Sequence, residues 1–512
     1  MYSYLRENME PSRNQFLGFF KHSALMTYWQ YFLIIFLFFP VAIIYGHYIY
    51  APSDDMYIFL VYARNFIDGN GLTFNGTVVE GFTSVFWVFL LSSIGLTRIP
   101  LPQLAESLSI LSSLFALFTT YKLARSMGIQ PEWLALTPSA LLAVTGDFAF
   151  YSVVGLEEVL FTALVALSMA LIYSQPADRL LRSSYYPLLL AILILTRPEG
   201  ALICALLFLI VLRKDNFTLV IRCGVTLVLF LLPILLWKRS FYGFWLPNTW
   251  YVKGGAGLAN LEHGIVYFLF NAQRYLGVLV LMASIAIYGH YKNKSLPFIK
   301  NILPLMLIVV IWLVYIIIQG GDNMVGGRFL LPILPAVYCI VVKFALDVRM
   351  KHTEIILGAM ALGISLFYGY VANPGLDRQA QSWRDAFSIR KSAGMYLYDH
   401  FSKETVVALN QAGIIPYYSQ LPTIDMLGLN DVQIAHHGKR DYGLWYAHQA
   451  GDGEYVLSRN PDIIIFSGLT LSAGPGEFIS DQEIWASDQF KNEYELVEWP
   501  GIGFVYSRKG DQ

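Results

Sequence analysis

Ser53-Asp54-Asp55-Met56-Tyr57-Ile58-Phe59-Leu60-Val61-Tyr62-Ala63-Arg64-Asn65-Phe66-Ile67-Asp68-Gly69-Asn70-Gly71 follows the first long apolar run of the chain and opens on two adjacent carboxylates. Ser53 or an Asp stands where an N-cap belongs and Gly69 or Gly71 where a helix stops, so the stretch predicts one amphipathic helix. Residues 72–79 then alternate around Asn75-Gly76, a strong hairpin signal. After Glu80-Gly81, the run 82–96 is apolar but short for a span and is expected to lie along the membrane surface. A first span that opens into a helix, a hairpin and an interfacial segment, instead of a plain turn, marks residues 51–103 as an elaborated loop.

On either side of this loop the chain reads as membrane. Of its 512 residues 56% are hydrophobic and 14% charged, against about 25% charged in a soluble protein. Apolar runs near 31–50, 104–124, 133–150, 157–174, 185–196, 200–212, 218–237, 265–289, 302–319, 329–346 and 354–371 predict about eleven transmembrane helices, since a crossing takes about 20 residues. The runs 185–196 and 200–212 are short, and two readings stand: tilted spans, or one hairpin broken around Arg197-Pro198-Glu199-Gly200. The run 31–50 has no small-residue cleavage site behind it and reads as a retained helix.

Orientation follows from the basic residues. With 82–96 placed at the interface, the connections on the N-terminal side hold fourteen Lys and Arg, and the other side, without its tail, holds seven: Arg64, Arg98, Arg197, Lys238, Arg239, Lys253 and Arg328. Positive charge stays inside. Residues 1–30 are therefore expected in the cytoplasm, 31–372 as the transmembrane domain, and 373–512 outside. A net charge of −1 excludes a nucleic-acid partner, which needs a surplus of Lys and Arg. Cys204, Cys223 and Cys339 lie in apolar runs without metal-ligand spacing, so no metal centre is expected from them.

The acidic residues give the outer side a meaning. Asp54, Asp55, Asp68, Glu80, Glu106, Asp147, Glu157, Glu158, Glu199, Glu262 and Asp322 all fall there, and carboxylates at the ends of apolar helices tend to face a cavity or a partner. A pair of carboxylates where a span emerges suits a general base for a sugar hydroxyl. The same pair also serves as a helix cap and dipole complement, and spacing leaves both readings open. Arg64, Arg197, Lys253 and Arg328 are cations able to hold a phosphate; pairing of Arg197 with Glu199 and of Arg328 with Asp322 is the bland alternative. The loop 241–253, with Asn248 and Lys253 among aromatics, reads either as a sugar cradle or as an interfacial belt.

An ordered set of blocks resembles the GT-C glycosyltransferases: Asp54-Asp55-Met56-Tyr57 through Tyr62-Ala63-Arg64-Asn65, Gly69-Asn70-Gly71-Leu72 and Val79-Glu80-Gly81-Phe82-Thr83-Ser84 in the first loop. Further along stand Gly155-Leu156-Glu157, Thr196-Arg197-Pro198-Glu199-Gly200, Tyr242-Gly243 with Leu246-Pro247-Asn248-Thr249, and Gly320-Gly321-Asp322 with Arg328-Phe329-Leu330-Leu331-Pro332. The set is most similar to the mycobacterial terminal arabinofuranosyltransferase branch and runs on to Ile424-Asp425-Met426-Leu427-Gly428-Leu429. It departs at Glu158, where a small polar residue is expected, and so leaves open which of Glu157 and Glu158 faces the site.

The resemblance implies a mainly α, polytopic GT-C-like membrane protein, in a bacterial inner (plasma) membrane, that moves a sugar from a polyprenyl-phosphate donor to a glycan or glycolipid acceptor, with inversion; no cofactor is expected, and the sequence leaves a metal requirement open. It implies Asp54 as catalytic base with Asp55 as helper. Arg64, Glu80, Glu157, Arg197, Glu199, Asn248, Lys253, Asp322 and Arg328 are the implied substrate-binding residues. From residue 373 the composition turns soluble: a helix over 379–401, strands at 405–409 and 462–466, and a pair near 494–497 and 503–507 predict a small α/β domain. Gln411-Ala412-Gly413 follows a strand as a nucleotide loop does but lacks the other glycines of that fingerprint. Two rivals from other classes stand. A secondary transporter carries repeated halves and midplane charges, which are not found here; a glycan-binding receptor without activity would be indifferent to loss of Asp54.

Overall fold

The computed structural model describes residues 46, 52–254, 257–293, 299–322, 324, 326–371, 374–442, 448–466 and 471–510. The expected span 31–50 lies, apart from Gly46, outside the described residues. Among the described residues, twelve helices of 11 or more residues carry the first part: α1 Asp54–Ile67, α2 Val85–Gly95, α3 Leu101–Ser126, α4 Glu158–Ser174, α5 Tyr185–Thr196, α6 Gly200–Val211, α7 Phe217–Tyr242, α8 Leu258–Ala272, α9 Leu276–Asn293, α10 Ile299–Gln319, α11 Leu334–Asp347 and α12 His352–Val371. Among the described residues, five stretches are long and apolar enough to cross a membrane: Leu101–Ser126, Phe217–Tyr242, Leu258–Gly289, Ile302–Gln319 and Arg328–Asp347. Leu209, Leu229, Ile287 and Ile318 are 61–69% exposed; apolar side chains turned outward along whole helices fit lipid as the solvent.

Some expected spans take a different form: the run 265–289 is divided between α8 and α9 by a 3-10 turn, Gln273–Tyr275. Residues 133–150 are not one helix but a 3-10 turn, Leu134–Leu136, and two short helices, Thr137–Ala143 and Gly146–Tyr151. Asp147 in the second is buried against Arg274 (2.9 Å) and Tyr275 (2.7 Å), a requirement that a continuous apolar helix would not meet. α5 and α6 have 12 residues each, about 18 Å at 1.5 Å per residue. That is short of the roughly 30 Å hydrocarbon core, which favours the broken hairpin over two tilted spans. α2, with 11 residues, is shorter still.

The loop 51–103 folds as a helix, a turn and a second helix. α1 begins with Ser53 at the N-cap position but without a side-chain cap bond. It stops at Gly69, whose φ of 85° lets its amide and that of Asn70 turn back onto Phe66 (3.1 Å) and Asn65 (2.8 Å). The hairpin contracts to a tight turn. Phe74 and Thr77 exchange both backbone hydrogen bonds (2.8 and 2.9 Å) around Asn75 and Gly76, both with positive φ.

α1 is not amphipathic in place, because every residue from Met56 to Ala63 is buried. One face lies on α2 and α3. The other is covered by the C-terminal region, where the Tyr57 ring meets Phe387, Tyr417 and Tyr418 at 5.2–5.8 Å.

That region starts with α13, Pro374–His400, and continues through β1 Val407–Leu409, β2 Thr423–Asp425, β3 Lys439–Arg440, β4 Ala450–Gly451, β5 Ile463–Ile465, β6 Tyr494–Trp499 and β7 Gly503–Arg508. The main sheet runs β2-β1-β5-β7-β6, its first three strands parallel and β7 antiparallel to both neighbours. β1 and β5 are buried on both faces, as a continuous apolar run predicts. From β1 a loop and the short helix Ile414–Ser419 lead back against α13 and α1, so the strand seats the domain on the loop 51–103.

Candidate active site

A cavity of about 330 Å³ lies where the start of α1, the turn before α4, the corner between α5 and α6, and the 3-10 helix Arg328–Ile333 converge. Its charged lining is Asp55, Glu157, Arg197, Glu199, Lys253 and Arg328; Phe82, Leu246, Trp250 and Phe329 supply apolar walls. Gly155 makes the turn possible. Its φ is 81°, and a Cβ there would overlap the Met56 sulfur of α1. The 3-10 helix packs along α4 and so brings Arg328 onto the carboxylates at the start of that helix.

The charges form one network. Arg197 pairs with Glu157 (3.0 Å), Glu158 (3.2 Å) and Glu199 (3.2 Å). Arg328 pairs with Glu158 (3.3 Å) and, through Nε and Nη2, with Asp322. Glu157 lines the cavity while Glu158 sits behind it, bridging the two arginines. Both guanidiniums are thus committed to carboxylates, as buried charges must be.

Asp55 touches this network at its edge, 3.7 Å from Arg328, and its side chain is 44% exposed where those of Glu157, Glu158 and Asp322 are 1–3% exposed. Lys253, in the short helix Asn248–Lys253, lines the cavity and has no ion pair among the described residues. Burial, and then the nearby Arg328, holds its ammonium below the ordinary lysine range.

Asp54 points elsewhere. Its carboxylate accepts hydrogen bonds from the backbone amides of Gly413 (2.9 Å) and Ile414 (3.0 Å) and lies 3.7 Å from Arg390. A Cβ on Gly413 would overlap the Asp54 carbonyl, so only glycine lets the two segments meet. The nucleotide-like loop Gln411-Ala412-Gly413 therefore does hold an anion at its backbone amides, and the anion is Asp54 of the same chain. Burial shifts this carboxyl upward, against the pull of Arg390 and the two amides.

Of the other expected binding residues, three lie outside the cavity in structural contacts. Arg64 donates to the Tyr417 carbonyl and to Asn75 Oδ1 (2.8 Å), while Asn75 donates to the carbonyls of Pro416 and Leu421 (both 3.0 Å). Glu80 is buried on Lys238 (2.6 Å); burial raises its carboxyl to about 7, against the pull of Lys238. Asn248 donates to the carbonyls of Gly428 (2.8 Å), Leu429 (3.1 Å) and Asp431 (3.1 Å). The partners that make these residues structural are distant in sequence and invisible in a linear pattern: the C-terminal region for Arg64 and Asn248, and α7 for Glu80. Asp322 stands behind Arg328. Thr83, from the block 79–84, also lines the cavity, as do Tyr315 and Gln319, which no local signal distinguishes.

Comparison with known proteins agrees with this architecture. Residues 377–511 match a family described as a domain of unknown function (DUF8728). No curated protein matches the chain in sequence. Among solved structures, ArnT from Cupriavidus metallidurans bound to undecaprenyl phosphate is similar at TM-score 0.59 and 11% identity over 94% of this chain and 98% of that one. ArnT in the apo state is similar at 0.53 and 12% over 78% and 86%. The arabinofuranosyltransferase AftD from Mycobacteria is similar at 0.51 and 13%, over 92% of this chain but 39% of that larger one. An apolar helical bundle, an elaborated loop at residues 51–103 and a charged cavity beneath it, set beside these neighbours, identify the chain as having the GT-C glycosyltransferase fold.

Proposed function

We propose that the chain is a membrane glycosyltransferase that moves a sugar from a polyprenyl-phosphate donor onto a hydroxyl of an envelope glycan or glycolipid, with Asp55 as general base. The observation that carries this reading is a partly exposed carboxylate, Asp55, on the wall of a cavity that also holds a cation, Lys253, with no ion pair among the described residues. Asp55 takes the proton from the acceptor hydroxyl; the oxygen bonds to the anomeric carbon as the bond from that carbon to the phosphate oxygen breaks, and the configuration inverts. Polyprenyl phosphate leaves as an anion, for which Lys253 is the ligand; Arg197 and Arg328 stand beside it with their charge already answered by Glu157, Glu158, Glu199 and Asp322. Asp54, taken from the resemblance as the base, acts instead as the latch between α1 and the C-terminal domain.

The similarity to ArnT bound to undecaprenyl phosphate supports the choice of carrier. The test is binding of undecaprenyl phosphate to the full-length protein in nanodiscs. Lys253→Ala should weaken it at least about tenfold, the size of one lost charge-assisted contact, with thermal stability unchanged or raised because a desolvated charge is removed. Equal affinity in both proteins would sink the assignment.

The reaction belongs on the non-cytoplasmic face of a bacterial plasma membrane, the side reached by the fourteen-to-seven division of Lys and Arg. A topology reporter fused after Gln512 should be active only outside the cytoplasm. Activity inside would reverse the orientation and remove the donor site from the outer leaflet.

A further inference from the structure

A second cavity, of about 310 Å³, shares Asp55, Ile58 and Leu429 with the first, so the two adjoin at the exposed carboxylate. Most of its remaining wall comes from the C-terminal domain: Trp383 and Arg390 on α13, Asn410 and Gln411 in the loop after β1, and His448 and Phe478. These residues fall within the segment that matches a domain of unknown function. We propose that this cavity binds the acceptor, as the uncharged terminal sugar of a glycan, and that forming it is what the C-terminal domain does. The proposal rests on the glycosyltransferase reading above and deepens it.

Three features of the wall argue for a neutral saccharide. Trp383 is half-buried, and the His448 and Phe478 rings lie 5.6 Å apart; flat apolar faces of this kind accept the C–H face of a sugar ring. Amides stand beside them. Asn410 is 4% exposed, and its Nδ2 donates to both carboxylate oxygens of Asp481 (2.8 and 3.0 Å). That fixes the amide plane and leaves Oδ1 without a partner among the described residues.

Charge supplies the third feature. Asp54, Asp55 and Glu477 line the cavity against one permanent cation, Arg390, which lies 3.7 Å from Asp54. A phosphate or a uronic acid would face an excess of carboxylates there, whereas in the first cavity Arg197, Lys253 and Arg328 balance Asp55, Glu157 and Glu199, and Lys253 has no ion pair among the described residues. The two cavities thus divide the substrates by charge, with the base on the wall common to both. A volume of about 310 Å³ is at the small end of the roughly 300–1,000 Å³ usual for ligand sites, which suits a single terminal unit and not a polymer segment.

The test is saturation-transfer NMR on the full-length protein in nanodiscs. The probes are methyl glycosides of arabinofuranose, mannose, galactose and glucose, methyl glucuronide as the anionic counterpart, and undecaprenyl phosphate measured separately. At least one neutral glycoside should bind. Trp383→Ala and Gln411→Ala should each weaken it about three- to tenfold, the scale of one lost aromatic or polar contact. Undecaprenyl phosphate affinity should hold in both variants, which also certifies their folding.

Lys253→Ala should give the reverse pattern. Absence of binding by every neutral glycoside, glucuronide binding as tight as the best neutral one, or an equal loss of undecaprenyl phosphate in Trp383→Ala would each overturn the proposal. Glycoside binding that depends on Trp383 in a protein that fails to take undecaprenyl phosphate would support the acceptor cavity while overturning the donor reading.

Discussion

Asp55→Asn is expected to lower turnover by about 10²- to 10⁴-fold, the usual contribution of a general base, with donor and acceptor affinities preserved. The substitution keeps the size of the side chain and removes only its ability to accept a proton. Asp55 is suited to the task because its side chain stays 44% exposed while its neighbours Glu157, Glu158 and Asp322 are sealed into ion pairs. Asp54→Asn serves as the contrast. An Asn at 54 can still accept from one of the two amides of Gly413 and Ile414 but would turn an N–H toward the other, so docking of the C-terminal domain should weaken by about 1–3 kcal/mol. Its turnover should fall far less than that of Asp55→Asn. Single-turnover transfer and thermal unfolding of both variants separate the roles. A collapse in Asp54→Asn with near-normal turnover in Asp55→Asn would return the base to the first carboxylate, and normal turnover in both would take this loop out of the chemistry.

The second large effect is on stability. Arg328→Ala should destabilise the protein by about 3–5 kcal/mol, because it strips the counter-charge from buried carboxylates. Arg328 itself is 7% exposed. Its removal leaves Asp322, whose side chain is 1% exposed, and deprives Glu158 of one of its two arginines. Adding Asp322→Asn to Arg328→Ala should recover part of the loss, since the two positions share one interaction and cannot contribute additively. Thermal unfolding in nanodiscs measures both. A stably folded Arg328→Ala whose undecaprenyl phosphate affinity drops by tenfold or more, in the manner of a direct phosphate contact, would make Arg328 a donor ligand before it is a structural residue.

Much of the molecule follows from local pattern. Apolar runs locate α3 to α7 and α10 to α12 to within about five residues, while the single run 265–289 falls across both α8 and α9; lipid imposes a composition that reads directly along the chain. The glycine stop of α1, the Asn75-Gly76 turn and the strands at 407–409, 463–465, 494–499 and 503–508 were likewise readable, and the helix over 379–401 is part of α13. Where the pattern misled, a buried polar requirement lay under an apolar surface. Asp147 with Arg274 and Tyr275 breaks the run 133–150, and α1 looked amphipathic only while the domain that covers it was unseen.

The site divides the same way. That carboxylates and cations gather at one end of the apolar helices was legible, because charged residues are rare enough in a membrane chain to stand out. By itself the sequence determined the membrane class, the loop at 51–103, the two-part architecture and the set of charged residues from which a site could be drawn. Only the tertiary structure decided what each member of that set touches: that Asp54 accepts from Gly413 and Ile414 while Asp55 faces the cavity, that Arg64, Glu80 and Asn248 bond to other parts of the framework, and that Lys253 lines the cavity without an ion pair among the described residues. The reason is physical. A charged side chain takes its role from the counter-charges and amides within about 4 Å of it; Glu199 and Asp322 are near their arginines in sequence, but Glu157 is 40 residues from Arg197 and Ile414 is 360 from Asp54.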